Sequence, residues 1–328
     1  MKSLNIGVVG AGYISQSYHC PALKRLRQKN PRITLAAICD LDQSRARELA
    51  SSFGFTSCYT DLSEMLEKET LDGAYILIDP GHIKEMALEF IGRGIPLLVE
   101  KPPGRTSGEV RELKEAAAQN RVPCLVALNR RFIPLVERTK KLLEEAGSPA
   151  QLMIGEMLRC KRTEEEFAYG TAVHAVDLMR YLGGDVKEVQ VKKLSLAGNS
   201  SFSYLVDFVF KSGLLGSLSI LPEVGFEAER YTVHGHDFTV RLEAPLEWTV
   251  DYPGRLLFFK GRENHFIQDN RILSEPMRDR LEITGFLGES SHFIDCLETG
   301  RTPHPSFEDC LQSVEIAEAI QAGTSRKF

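Results

Sequence analysis

Several features are scarce or missing in this sequence, and each absence excludes a class of protein. No apolar run approaches the roughly 18 residues that a membrane span needs, and the apolar part of MKSLNIGVVGAG is too short for a signal peptide. Positive charge is also scarce, because 40 Lys and Arg residues are outnumbered by 45 Asp and Glu residues, giving a net charge of −5. We therefore expect neither a membrane nor a nucleic acid as a partner.

Signals for disulfides and metals are weak as well. The seven cysteines are odd in number, scattered and without a C-x-x-C motif, which is typical of a reducing compartment and predicts a cytoplasmic location. Two pairs have the spacing of metal ligands, His234 with His236 and His292 with Cys296. Neither pair has a third ligand nearby in the sequence, so we interpret both as packing residues and predict no metal site.

What remains is a chain with 43% hydrophobic residues and the length of two domains. Its first half alternates short apolar strands with amphipathic helices, which predicts a parallel, doubly wound α/β sheet. Strands are expected at 5–9, 34–39, 57–59, 74–78, 97–99 and 125–128, and helices at 14–28, 43–53, 62–68, 83–92 and 109–119. We place this domain at residues 1–129.

After residue 129 the pattern changes, because strands follow one another with few helices between them. Strands are expected at 151–159, 188–194, 203–210, 214–222, 230–233 and 239–243, and helices at 134–146, 171–182, 286–297 and 307–322. Consecutive strands predict an antiparallel or mixed sheet. Residues 130–328 are therefore expected to form a second, α+β domain.

A glycine-rich turn joins the first expected strand to the first helix. In VVGAGYIS, Gly10 permits the tight turn, Gly12 leaves room for a pyrophosphate, and Ser15 is small enough for helix–strand packing. The helix N-terminus offers N–H groups to phosphates, and Asp40 closes the second strand, where a carboxylate binds ribose hydroxyls and repels a 2′-phosphate. The pattern predicts a dinucleotide site that favours NAD over NADP. Arg45 is close in sequence and weakens this preference, because an arginine accommodates a 2′-phosphate. An ordinary glycine turn is the alternative.

A lysine follows the fifth expected strand, in VEKPPG. Ligands of open α/β sheets bind beyond the carboxyl ends of the strands, which places Lys101 at the cofactor crevice. Lys101 is therefore expected beside a bound cofactor, and a solvated surface lysine is the alternative.

A second titratable side chain interrupts the apolar face of an expected helix. In AYGTAVHAVDLMRYL, residues 168–182, His174 lies among apolar positions and Asp177 follows three residues later. Buried polar groups usually find structural partners, so a core histidine that donates to a carbonyl is one interpretation. A histidine that lines a substrate pocket is the other.

Together these motifs resemble the Gfo/Idh/MocA oxidoreductase family along nearly the whole chain. The matching pieces are GAGYIS at 10–15, Asp40, DPGH at 79–82, EKP at 100–102, NRRF at 129–132, the His-x-x-Asp at 174–177 and the C-terminal run GFLGESSHFIDCLETGRTPHPSFEDCLQSVEIAEAI. The resemblance implies an N-terminal Rossmann domain and a C-terminal α+β domain whose open, largely antiparallel sheet carries the substrate pocket and the oligomer interface. It also implies an NAD- or NADP-dependent dehydrogenase or reductase. Such an enzyme acts on a hydroxyl or carbonyl carbon of a sugar, inositol or related polyol, as a homodimer or homotetramer.

The same resemblance assigns roles to individual residues. Lys101 is expected near the nicotinamide and the reacting oxygen, and His174 across the pocket from it, both as catalytic residues. The cofactor-binding residues that it implies are Gly10, Gly12, Tyr13, Ile14, Asp40, Asp79, Pro80, His82, Glu100 and Lys101. The substrate-binding residues that it implies are Asn129, Tyr169, His174 and Asp177.

The sequence departs from the family pattern at two places. Gly170 stands where relatives commonly carry an aspartate four residues before the histidine, and Asp79-Pro80-Gly81 replaces the usual T-P-N after the fourth strand. Tyr169 is either a substitute hydrogen-bond donor or a packing residue.

Because of these departures, two functions other than a dehydrogenase stay open. One is redox-neutral cleavage of a glycoside, with NAD reduced and reoxidised in one turnover, and the other is a regulator that binds the dinucleotide without catalysis.

Overall fold

The computed structural model describes residues 3–261, 263–269 and 279–328. The chain divides into two compact units. The first holds the residues up to Leu128 together with Phe286–Leu311, and the second holds Asn129–Gly285 together with Gln312–Phe328. This division lies next to the boundary expected between 129 and 130, and it differs from the expected domains in placing residues 286–311 with the first unit.

Six parallel strands form the sheet of the first unit: β1 (Leu4–Val9), β2 (Ile33–Cys39), β3 (Ser57–Tyr59), β4 (Gly73–Ile76), β5 (Leu97–Val99) and β6 (Cys124–Val126). Their spatial order is β3-β2-β1-β4-β5-β6, so the direction of winding reverses between β1 and β4. All four residues of β4 are buried, and such burial explains why the strands read as continuous apolar runs. The predicted doubly wound parallel sheet is confirmed.

Helices alternate with these strands. A π-helical turn (Ser15–His19) leads into α1 (Cys20–Lys29), followed by α2 (Gln43–Phe53), α3 (Leu62–Lys68), α4 (Pro80–Gly92) and α5 (Ser107–Asn120). Helices α2 and α3 begin where expected because Asp42 and Asp61 accept hydrogen bonds from N–H groups of the first turns. Within the described ranges, no helix is both long enough and apolar enough to cross a bilayer.

Nine strands form the sheet of the second unit: β7 (Ala150–Leu158), β8 (Val186–Ser195), β9 (Phe202–Phe210), β10 (Leu215–Leu221), β11 (Ala228–Gly235), β12 (Phe238–Glu243), β13 (Arg255–Lys260), β14 (Glu263–Asp269) and β15 (Arg326–Lys327). Their order is β14-β13-β12-β11-β7-β10-β9-β8-β15. Only β7 and β10 pair in parallel among these described strands. The sheet is therefore mixed and mostly antiparallel, as predicted.

The remaining helices are α6 (Pro134–Glu145), α7 (Phe167–Gly170), α8 (Val173–Gly183), α9 (Arg280–Ile283), α10 (Phe286–Thr299) and α11 (Phe307–Ala322), and a 3-10 turn spans Asn129–Phe132. Helix α10 belongs to the first unit and packs there against α1. Aromatic stacking contributes to this packing, since the rings of Phe286 and Tyr18 have centroids 4.3 Å apart. The apolar face of α10 thus completes the core of the first unit.

The two faces of the nine-stranded sheet differ in composition. Helices α6 and α8 contact strands of this sheet, and inward residues such as Met153 belong to the apolar core of the second unit. On the opposite face, large apolar side chains between 37% and 53% exposed lie on β7, β9 and β10: Leu152, Ile154, Leu205 and Leu215. This alternation of buried and exposed residues is typical of a sheet covered on one side.

Candidate active site

The turn between β1 and the following helix allows the close approach of a ligand. Gly10 has a φ of +98°, and a Cβ at this position would lie 2.2 Å from the Leu77 carbonyl oxygen, so only glycine fits. A Cβ at Gly12 would meet no atom within 4 Å, so the space beside it is open. The buried Ser15 hydroxyl donates a hydrogen bond of 2.6 Å to the Gly10 carbonyl oxygen and fixes the turn.

Asp40 lies at the end of β2, beside the glycine turn. Its Oδ2 accepts a hydrogen bond from the Ala11 N–H at 2.7 Å, and its Oδ1 accepts one from the Asp42 N–H at 2.8 Å. Arg45, whose side chain is 53% exposed, forms an ion pair with Oδ1 at 3.1 Å. The carboxylate is therefore fixed where a dinucleotide-binding fold requires an acceptor for ribose hydroxyls.

Most of the expected cofactor-binding residues line one crevice at the carboxyl ends of β1, β2 and β4. The crevice has a volume of about 590 Å³, which is within the range of small-molecule pockets. The expected residues in its lining are Gly10, Gly12, Tyr13, Ile14, Asp40, Asp79 and His82. Arg45, Thr60 and Met86, which were not in the expected set, also line it. The structure thus brings together residues from both sides of the point where the winding reverses.

The unusual Asp79-Pro80-Gly81 segment forms the start of α4. Asp79 caps this helix, since its Oδ1 accepts a hydrogen bond from the Gly81 N–H at 2.9 Å, and Pro80 is the first helical residue. A Cβ at Gly81 would lie 2.3 Å from Nη2 of Arg105, so the guanidinium packs directly on the glycine. Glycine at this position therefore makes room for an arginine from the loop after β5.

Glu100 and Lys101 follow β5 at the same edge of the sheet. The Glu100 side chain is held at both oxygens, because Oε1 lies 3.2 Å from His19 Nε2 and Oε2 accepts the Lys101 backbone N–H at 3.1 Å. Lys101 is half-buried. These contacts fix the backbone from which the Lys101 side chain extends, at the edge where ligands of open α/β sheets bind. Sequence reasoning missed His19, whose partner is 81 residues away.

In the second unit, His174 lies in the first turn of α8. It is 9% exposed, and its backbone N–H donates a hydrogen bond to the Thr171 carbonyl oxygen at 3.2 Å. Gly170 ends α7 four residues earlier, and a Cβ there would meet no atom within 4 Å. The position for which the family resemblance implies an aspartate is therefore bordered by open space in this chain.

Asp177 has structural partners in the second unit. It is 1% exposed, and its carboxylate accepts hydrogen bonds from Arg131 Nε at 2.8 Å and Nη2 at 2.7 Å, and from the Ser313 hydroxyl at 2.9 Å. These contacts connect the 129–132 turn, α8 and α11. The carboxylate therefore positions the turn, and its contact with a substrate stays a prediction.

Asn129 and Tyr169, the other expected substrate residues, are also buried in the second unit. The Asn129 amide donates a hydrogen bond to the Thr284 carbonyl oxygen at 2.9 Å, and the Tyr169 backbone N–H donates one to Gln321 Oε1 at 3.3 Å. Asn129 is 6% exposed and Tyr169 is 7% exposed. Their substrate contacts likewise stay predictions.

Sequence reasoning missed a buried charged cluster in the second unit. Glu229 accepts hydrogen bonds from Arg130 at 2.8 and 2.7 Å and another from Arg159, and at most 5% of each of these residues is exposed. Burial alone would raise the pKa of Glu229, but the charges and hydrogen bonds of both arginines outweigh it and lower the pKa to about 2. No sequence signal joins Glu229 to Arg130, because 99 residues separate them.

The two pairs weighed as metal ligands have other contacts. His234 Nδ1 lies 3.0 Å from Thr239 Oγ1, while His292 Nε2 accepts the His304 N–H at 3.0 Å and lies 3.8 Å from Cys296 Sγ. Over the part of the chain that the structure describes, no group of three His, Cys, Asp or Glu side chains is placed to hold a metal ion.

The sheet and its crevice define the class of this protein as a dinucleotide-binding α/β protein with a second, largely antiparallel unit. Residues 4–128 match the oxidoreductase family with an NAD-binding Rossmann fold, and residues 163–327 match the C-terminal alpha/beta domain of the same family. The chain therefore belongs to the Gfo/Idh/MocA oxidoreductase family. NAD is its cofactor, and the open space at Gly12 together with the fixed Asp40 carboxylate fits this dinucleotide.

Individual relatives agree with this assignment over most of their length. The oxidoreductase YrbE of Bacillus subtilis (strain 168) is 26% identical and the alignment covers 98% of this chain and 94% of the relative. D-apiose dehydrogenase of Paraburkholderia graminis is 23% identical, with 97% and 87% covered. A solved dehydrogenase of Chromobacterium violaceum superimposes with a TM-score of 0.87 at 20% identity, covering 99% and 96% of the two chains. Levoglucosan dehydrogenase in complex with NADH and levoglucosan superimposes with a TM-score of 0.84 at 18% identity, covering 99% of both chains.

Proposed function

We propose that this protein is an NAD-dependent dehydrogenase or reductase that acts on a hydroxyl or carbonyl carbon of a sugar, inositol or related polyol. One observation carries the proposal: the crevice at Gly10, Gly12 and Asp40 and the Glu100–Lys101 pair lie at the same edge of one parallel sheet. A dinucleotide site and an amine for proton transfer are thus built on neighbouring strands. The sugar substrates named for D-apiose dehydrogenase and levoglucosan dehydrogenase support this substrate class.

The chemistry assigned to the protein itself is proton transfer and charge stabilisation. Residues of the crevice, Gly10, Gly12 and Asp40 among them, would hold NAD, which would supply the hydride acceptor or donor for the carbinol or carbonyl carbon. The Lys101 amine takes the hydroxyl proton, or as an ammonium stabilises the developing negative charge on the oxygen. Glu100 contributes by fixing the Lys101 backbone, as its hydrogen bond to the Lys101 N–H indicates.

His174 is proposed as the second catalytic residue. Its imidazole is the side chain whose ordinary pKa suits proton exchange near neutral pH, and it lies four residues after Gly170, where a Cβ would meet no atom within 4 Å. Asn129 and Tyr169 are proposed to bind substrate, and Asp177 to support this region through Arg131. The action of His174 and Lys101 on one substrate stays a prediction.

The experiment that tests the proposed function is a reaction screen. The protein is incubated with NAD⁺ and inositols, sugar acids, amino sugars and anhydrosugars, and NADH is followed by absorbance. We expect net NADH with at least one member of the panel, together with a product that has lost two hydrogens by mass spectrometry. Product without net NADH would instead indicate redox-neutral chemistry, and a protein that binds NAD without any turnover would indicate a regulator.

We also propose a homodimer or homotetramer formed through the exposed face of the nine-stranded sheet. Leu152 and Leu215 are partners across β7 and β10, and Ile154 and Leu205 lie on the same face, so an apolar area is exposed to solvent. Exposed apolar areas of this kind mark interaction sites.

A cytoplasmic location is proposed as well, supported by seven free cysteines. The charge of −5 supports the proposal that no nucleic acid is bound.

A further inference from the structure

A group of buried polar side chains lies behind Glu100 in the first unit, and the proposed chemistry does not use it. His19 comes from the π-helical turn, Tyr75 from β4, and Glu289 and Ser290 from α10. Each of these four residues is 0% exposed. Helix α10 packs on the π-helical turn and on α1, which brings its polar residues to the same interior.

Glu289 is the most unusual member of this group. Within the described ranges, neither of its carboxylate oxygens has a hydrogen-bond partner, and the same holds for His19 Nδ1. Leaving such groups buried without a partner is destabilising, so a glutamate here lowers stability. Hydrocarbon side chains of similar size remove such a cost, which makes a functional reason for the glutamate the better explanation.

The surroundings of Glu289 favour its neutral form. Complete burial raises its pKa well above the ordinary range, and the negative charge of Glu100 raises it further. The other titratable side chains buried on the elements packed here are Tyr18 and His19 from the π-helical turn, Cys20 from α1 and Tyr75 from β4. A neutral carboxylic acid donates a hydrogen bond, directly or through an internal water, without adding a second charge beside Glu100.

Glu100 links this interior to Lys101. Its Oε1 lies 3.2 Å from His19 Nε2, and its Oε2 accepts the Lys101 backbone N–H at 3.1 Å. The His19 ring is itself held edge-on against Phe286 and Tyr75, with centroids 5.4 and 5.8 Å away. Any group that orients the Glu100 carboxylate therefore also orients the backbone of Lys101.

We propose that Glu289 is a positioning residue for Lys101: through an internal water it holds the His19 imidazole, His19 holds the Glu100 side chain, and Glu100 holds the Lys101 backbone. The importance of this arrangement for catalysis rests on the proposed function of Lys101. The protonation of Glu289 and the reactivity of the Lys101 amine can both be measured without a substrate. Loss of the acid releases Glu100, whose carboxylate then approaches the Lys101 ammonium and stabilises its charged form.

The first test is infrared spectroscopy of the full-length protein at neutral pH. We expect a carbonyl band of a neutral carboxylic acid that shifts in D₂O and is lost in Glu289→Gln. The control is Asp295→Asn, an exposed carboxylate on the same helix, which should keep the band. A wild-type spectrum without this band, or a band that survives in Glu289→Gln, would overturn the proposal.

The second test measures how readily the Lys101 amine is labelled by an acylating reagent as a function of pH, read by mass spectrometry. In Glu289→Leu the midpoint should rise by at least about half a pH unit, while the melting temperature stays at or above that of the wild type. Glu289→Gln, which keeps a neutral donor, and Asp295→Asn should both label like the wild type. A leucine variant with a wild-type labelling profile would contradict the positioning role.

The two tests separate this proposal from the proposed function. Neither uses a substrate, so a protein without turnover would count against the dehydrogenase assignment and leave both readouts intact. The infrared test needs only Glu289→Gln, and it can therefore disprove the proposal even where the leucine variant does not fold.

Discussion

Gly170 stands at the position for which the family resemblance implies an aspartate, and the structure leaves space there for a larger side chain. Because a Cβ would meet no atom within 4 Å, Gly170→Asp should fold with a melting temperature close to that of the wild type. A carboxylate four residues before His174 favours the charged imidazole. We expect one limb of the kcat/KM profile to move to higher pH.

Gly92→Asp is the matched control for this change, since a Cβ at Gly92 also meets no atom within 4 Å and the residue lies at the end of α4. It should leave the pH profile where it is. An unchanged profile in Gly170→Asp would show that position 170 does not communicate with a titrating catalytic group.

His174 is expected to exchange a proton with the substrate. His174→Ala should lower kcat/KM by at least about tenfold and flatten one limb of its pH profile, because general acid–base catalysis depends on a group that titrates near the working pH. Tyr169→Phe should have a smaller effect. The measurement is kcat/KM against pH for wild type and both variants, with folding checked by thermal melts. A His174 variant that is destabilised but fully active per folded molecule would make the histidine a core residue.

Asp40 is expected to set the preference for NAD over NADP. Its carboxylate is fixed beside the glycine turn by the Ala11 N–H, so a 2′-phosphate would meet a like charge. Calorimetric titration should give a lower Kd for NADH than for NADPH, and Asp40→Ala should reduce the difference. Arg45→Ala tests the opposing influence of the neighbouring guanidinium. Equal affinities in the wild type would contradict the role assigned to Asp40.

At the scale of structural elements, the buried Arg130–Glu229–Arg159 cluster joins the 129–132 turn to β11 and to the residue that follows β7. Glu229→Gln leaves two buried guanidinium groups without their carboxylate and should lower the free energy of unfolding at neutral pH by about 3–5 kcal/mol. Urea unfolding of both proteins measures this difference. The control is Glu64→Gln, which removes an exposed ion pair with Lys68 and should change stability by less than about 1 kcal/mol.

The pH dependence of this stabilisation has a defined sign. Because the folded pKa of Glu229, about 2, lies below the ordinary value of 4.5, its contribution is complete above that ordinary value and is lost as the pH falls toward 2. The stability difference between wild type and Glu229→Gln should therefore shrink over this interval. A difference that stays constant from pH 5 to the acid transition would contradict the ionised state of Glu229.

The elements that could be predicted from sequence are those whose signals are local. Helices α2 and α3 were predicted with their observed bounds because aspartate caps and apolar spacing lie within the helices themselves. Strands β13 and β14 were missed. In β13 only Leu256 is fully buried, so its alternation is weak, and the strand is defined by pairing with β12.

The same distinction applies to the site. The residues of the cofactor crevice were predicted because a glycine turn and a strand-end carboxylate form a recognisable local motif. The partners of Asp177 could not be predicted, since Arg131 and Ser313 lie 46 and 136 residues away in the chain. His19 was missed for the same reason, since Glu100 lies 81 residues away in the chain, and Glu289 was missed because the packing of α10 on the π-helical turn is a long-range contact.

At the scale of the whole molecule, the exposed face of the nine-stranded sheet should hold subunits together. The double variant Leu152→Asp and Leu215→Asp places two charges at the centre of this face and should convert the oligomer to monomers in light scattering. Leu196→Asp, at an exposed position outside the β-strands, is the control and should keep the oligomer. A wild-type protein that is monomeric at high concentration would contradict the interface.

The measurement that tests the account most directly compares wild type and Lys101→Met in the NAD⁺ reaction with a polyol substrate. Lys101 follows β5 at the edge of the sheet that carries the cofactor crevice, and its backbone is held by Glu100. The variant should bind NADH within several-fold of the wild type, while kcat falls by roughly 10²–10⁴, the range expected for loss of a group that transfers the proton and stabilises charge. A Lys101→Met protein that produces NADH at the wild-type rate would contradict the account.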